Sequence, residues 1–149
     1  MHRMKRASGY MLVGACLFLA AGGSLKQAQS QPAATPALSY EFFRDKVQPV
    51  FLAKREGHAR CVSCHSINNA PLHLVRLSPG ATTWNEEQSR RNFQLVQKVV
   101  VPGDEGSKLV VHPLAEEAGG DPHHGGGQQF ASKNDPYWQT LKAWVLGAK

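Results

Sequence analysis

The chain holds only three methionines, Met1, Met4 and Met11, all within its first eleven residues. Cysteine is equally scarce: Cys16 lies in the same region, and only Cys61 and Cys64 follow. There is one long apolar run, residues 10–21, broken by Gly14 and Cys16. It is shorter than the roughly 20 apolar residues of an ordinary membrane span. His2, Arg3, Lys5 and Arg6 precede it, and small residues follow at 20–24 and again at Ala28-Gln29-Ser30. A basic start, a short apolar stretch and a small-residue site make a secretory signal. Residues 1–30 are therefore expected to be removed, with cleavage at the second site, and the product to be periplasmic or secreted. An uncleaved anchor is the first alternative. The second is a lipoprotein anchored through Cys16 in Val13-Gly14-Ala15-Cys16, against which Leu17-Phe18-Leu19-Ala20 continues the apolar run past the cysteine.

The mature chain thus has no methionine, two cysteines and little excess charge. Taking Arg3, Lys5, Arg6 and Lys26 from the 17 basic residues leaves 13 against 11 acidic ones. The pI of about 9.5 belongs largely to the leader and is no sign of nucleic-acid binding. Six histidines remain, His58, His65, His73, His112, His123 and His124. No internal repeat is evident, and strand signals are poor throughout, so the fold class is mainly α. The 119 residues from Gln31 onward suffice for one domain. The expected organisation is a flexible lead-in over 31–38, with Pro32 and Pro36, and a folded domain over 39–149.

What is present centres on Cys61-Val62-Ser63-Cys64-His65. Cys-x-x-Cys-His is the attachment signature of a c-type haem: each thiol adds to one vinyl group, and the histidine falls under the ring as an iron ligand. One motif implies one covalently bound haem c. A zinc site would need further ligands, for which no second cysteine pair exists, although His112, His123 and His124 are available. A thioredoxin-type centre would follow a strand, whereas the residues before Cys61 read as helix and then loop. With the thiols engaged and no methionine left, a thioether cannot be the sixth ligand of iron. That excludes the His/Met pairing that raises the potential of many small cytochromes.

Three principal helices are expected around the motif. Ser39 can cap a helix over 40–54 with Phe43, Val47, Val50 and Phe51 on one face, kinked or shortened by Pro49. A second runs over 84–100, with Phe93, Val96 and Val100 on one stripe and Glu86 and Glu87 at its positive end, and Pro102-Gly103 stops it. The third is the clearest: Asp135 caps, Pro136 opens, Tyr137, Leu141, Trp144 and Val145 form the stripe, and Gly147 ends it. Residues 66–80 lack periodicity and read as a loop over the cofactor edge. Residues 112–134 form a long Gly-rich loop, a length uncommon unless functional. Its glycines allow close approach to a flat ligand, and His112, His123 or His124 can reach iron from it. The bland alternatives are a solvated turn or an exposed divalent-metal site on His123-His124.

From residue 40 to 148 the chain resembles the monohaem cytochrome c domains first described from planctomycetes, a branch of the class I cytochrome c fold. The landmarks are Val47-Gln48-Pro49-Val50-Phe51, the haem motif, Pro102-Gly103-Asp104, Ser107-Lys108-Leu109-Val110 and Trp144-Val145-Leu146-Gly147-Ala148. Such domains commonly carry a Met-Pro-Pro segment before the last helix, where this chain has Pro122-His123-His124-Gly125-Gly126. The resemblance therefore puts His124 first as the distal ligand opposite His65, then His112, then His123, with His58 and His73 facing solvent. It implies an extracytoplasmic carrier of single electrons with bis-histidine iron and a potential below that of His/Met relatives. Such a carrier is not an enzyme; its partners are other redox proteins, with no nucleic acid and no membrane span in the mature chain. Two further classes stay open: a haem-based sensor or peroxidase-like enzyme with an open or labile distal site, and a structural subunit whose haems align in an assembly.

Overall fold

The computed structural model describes residues 34–67 and 70–149. The expected leader, its cleavage site and Cys16 lie outside them. Among the described residues the protein is helical, with no strand and a single isolated bridge, Leu114 to Phe130. No helix among them is long and apolar enough to cross a membrane.

The opening helix starts where Ser39 accepts the N–H of Phe42 on its hydroxyl. It runs as α1, Tyr40–Phe42, a π-helical turn over Phe43–Val47, and α2, Gln48–Leu52. Pro49, expected to kink or shorten the helix, is preceded by a widened turn. Proline has no N–H for the carbonyl four residues back, and its ring would strike that carbonyl. The ladder skips a residue, and Gln48 donates to Phe43 five positions earlier. The helix ends at Leu52, two residues short of expectation.

The motif itself forms α3, Cys61–His65. The chain then turns back, and the N–H of Leu74 donates to the His65 carbonyl at 2.8 Å. The irregular stretch to residue 80 is pinned by Leu74, which is fully buried, and by Trp84, whose indole N–H donates to Val75. α4, Glu86–Val96, begins at Asn85 rather than Trp84. The Asn85 side chain accepts the N–H of Gln88, and the Gln88 side chain accepts the N–H of Asn85. A 3-10 turn, Gln97–Val99, finishes it before Pro102.

Two elements carried no readable period. α5, Lys108–Val111, is a four-residue turn, and a 3-10 turn, Glu116–Ala118, interrupts the Gly-rich segment. α6, Pro136–Val145, matches its expected cap, with Asp135 accepting the N–H groups of Tyr137 and Trp138. Its inner stripe differs from the expected one. Trp138 is buried, whereas Tyr137 is 40% exposed and lies under the Arg55 guanidinium.

The core joins the two ends of the described domain. Phe43 packs on Trp144 at 5.2 Å and on Phe93 at 5.4 Å between ring centres. The Trp144 indole donates to the Ser39 carbonyl at 2.8 Å. Within the expected lead-in, Leu38 packs against the core and the Ala37 carbonyl accepts the Lys149 ammonium. Gly147, at φ +97°, has no room for a side chain, because a Cβ would come 2.7 Å from Pro36. A buried polar seam runs alongside: Gln48 donates to Ser89 at 2.9 Å, and Asn92 accepts the N–H of Val75 at 2.7 Å. These bonds satisfy groups that burial would otherwise penalise.

Candidate functional site

A cavity of about 790 Å3 opens among α2, α3, α5, α6 and the Gly-rich segment. That size falls within the roughly 300–1,000 Å3 of pockets that enclose cofactors. Its walls are mainly apolar, with Phe51, Leu72, Val100, Leu109, Phe130 and Leu141 among them. Against that background stand both free cysteines and three imidazoles, Cys61, Cys64, His65, His112 and His124. Burial pushes the Cys61 thiol up to about 11, so the unmodified residue is a neutral thiol at ordinary pH.

α3 and the returning loop orient His65. Its Nδ1 donates to the Leu72 carbonyl at 2.8 Å, which fixes the tautomer and leaves Nε2 as the free lone pair. Desolvation, reinforced by His124, His112 and His73 nearby, lowers its pKa against the opposing pull of Leu72. The ring is thereby kept neutral, the form that can donate to a metal.

His124 is held in the same manner from the opposite chain segment, its Nδ1 donating to the carbonyl of Gly127. The rings of His65 and His124 lie 6.2 Å apart between centres, with planes 18° from parallel. With a nitrogen–metal bond of about 2 Å and about 1 Å from nitrogen to ring centre, two imidazoles on opposite sides of one ion have centres roughly 6 Å apart. His112 stands beside them, its ring edge-on to His124 at 4.9 Å and 82°. Its Nδ1 donates to Asp121 at 3.0 Å.

The remaining sequence candidates fall elsewhere. His123 is exposed and offers only its backbone N–H, to Asp121. His73 is exposed, as expected. His58, expected to face solvent, is half-buried and borders a second, polar cleft with Lys54 and Arg55. Among the described residues no group of three or more His, Cys, Asp or Glu side chains is placed to hold a metal ion by itself. The cysteine pair, His112, His123 and His124 therefore do not converge as a zinc site would require.

The Gly-rich segment, expected as an open loop, is closed at its base. Ala115 donates to Phe130, and Gln129 and Phe130 both donate to Pro113, at 2.8, 2.8 and 3.0 Å. Leu114 and Phe130 are buried there. Gly120 seals the turn: a Cβ would come 2.0 Å from the Leu114 carbonyl oxygen. His124 thus projects from a braced frame. The sequence reading missed Asp121, whose position two before His123 was its only signal. Asp121 accepts Lys108 at 3.0 Å, His112 at 3.0 Å and the His123 N–H at 3.1 Å. Lys108, then His112 and the His123 N–H, hold its carboxyl far below the usual range.

No protein-family model, curated protein or solved structure matches this chain.

Proposed function

We propose that the protein is a monohaem c-type cytochrome that carries single electrons outside the cytoplasm. In this reading Cys61 and Cys64 would hold the haem covalently, and His65 and His124 would hold its iron. The observation that carries it is the pairing of His65 and His124 in the cavity lining, ring centres 6.2 Å apart, planes 18° from parallel and each Nδ1 tied to a carbonyl. The residues fit the group in three respects: the cavity is large and apolar, both thiols border it, and two imidazoles line it from separate segments. Haem supplies the one-electron couple between ferric and ferrous iron. The protein's share would be to hold the iron with His65 and His124, leaving no place for a substrate, and to exclude water with the apolar side chains of Phe51, Leu109 and Leu141. Two imidazoles favour a potential below that of a His/Met site. The partners are redox proteins, met in the periplasm or outside the cell.

The optical spectrum of the purified protein, with haem attachment checked by mass, tests this reading. A low-spin ferric spectrum that ignores cyanide, and a reduced form that ignores carbon monoxide, are expected. High-spin iron that binds either ligand would refute the carrier and favour a sensor or peroxidase-like enzyme. The His112–Asp121 pair beside the distal position is the observation that supports that second reading.

A further inference from the structure

We infer that Asp121 is the positioning residue that selects His124, rather than His112, as the distal ligand. The inference rests on the bis-histidine reading above and adds the element that decides between its two imidazoles.

Both rings border the cavity, each with Nδ1 engaged, so chemistry alone does not choose between them. Asp121 touches both alternatives. Oδ2 accepts Nδ1 of His112 and the ammonium of Lys108, each at 3.0 Å, and so restrains the His112 ring edge-on to His124. Oδ1 accepts the N–H of His123 at 3.1 Å, which fixes the backbone immediately before His124. The backbone N–H of Asp121 donates to Val111 at 3.0 Å, anchoring the carboxylate to the end of α5. Its side chain is 19% exposed, so the bonds lie partly out of solvent. One carboxylate thereby holds the competing ring back and the ligand's backbone forward. Outer partners of this kind typically alter metal-site properties by about 10–100-fold when removed.

The test uses the haem-loaded full protein and carbon monoxide as probe of the reduced form. Asp121→Ala should speed carbon monoxide binding by about 10–100-fold. Asp121→Asn keeps an oxygen for the His123 N–H and should restore most of the resistance. It also carries the test if the alanine variant fails to fold, because its resistance should then fall short of wild type. Glu105→Gln removes a carboxylate bonded to Lys142 and Lys133, away from the cavity, and should lower stability without changing the carbon monoxide rate. Adding His112→Ala to Asp121→Ala should remove any low-spin species formed by the second imidazole. An Asp121→Ala protein that is less stable but as closed to carbon monoxide as wild type, and that stays so when His112→Ala is added, would overturn the inference and leave the bis-histidine reading standing. Wild-type protein without covalent haem, or with a spectrum unmoved by His124→Ala, would overturn that reading and this inference together.

Discussion

His124 is where chemistry and placement meet most directly at the scale of single residues. Its Nδ1 is engaged by Gly127, so under the proposed bis-histidine function replacing the ring removes the second iron ligand and little packing. His124→Ala should therefore turn the ferric spectrum high-spin at neutral pH and open the iron to cyanide. His112→Ala should stay low-spin, and absorption spectra of the two variants decide the matter. Cys61, Cys64 and His65 were legible because their spacing is itself chemical information. Of the three candidate rings on the Gly-rich segment, His112 and His124 line the cavity and His123 is exposed, a sorting that sequence order does not give. Asp121 offered only its position two before His123, because its bonds depend on α5, a turn too short to leave a period.

At the scale of elements, capping chemistry was readable and backbone compromise was not. Asp135 and Pro136 announced α6, and Gly147 its end. The Asn85 and Gln88 pair carried the same kind of signal for α4, but Trp84 drew the boundary two residues early. Pro49 was recognised as a defect, yet whether a helix kinks, stops or widens depends on what Phe43, Val47 and Phe51 must pack against. Tyr137 was placed inward on spacing alone, whereas the Arg55 side chain offered it a surface partner and Trp138 took the core position. The closed base of residues 111–130 makes a sharp prediction. Gly120→Ala would drive a methyl into backbone oxygen that cannot move aside. It should cost about 2–3 kcal/mol, read as a lowered urea midpoint at unchanged slope.

For the whole molecule, the Arg55–Asp135 pair joins the end of α2 to the start of α6. Burial alone would raise the Asp135 carboxyl, but Arg55 and the N–H groups of Trp138 and Tyr137 hold it below its ordinary value. A carboxyl depressed by folding stabilises the protein above its unfolded pKa, and that contribution fades as pH falls through the folded value. Asp135→Asn should therefore lower Tm at pH 7, by about 4 °C. The gap to wild type should close as pH drops below about 4. Melting curves between pH 2 and 7 would show it, and the absence of a gap at pH 7 would assign Asp135 to capping alone, which asparagine supplies equally.

The bond from Trp144 to Ser39 spans 105 positions of sequence, and it closes the core around Phe43. Contacts this remote make assembly wait for the last segment of chain. A nascent chain on the ribosome cannot complete its interior until α6 has emerged, however early the first helix appears. Until then Cys61 and Cys64 belong to an unfinished fold and their thiols stay accessible. The meeting of the two ends thus sets a time order, in which chemistry at the thiols can precede closure of the walls around them.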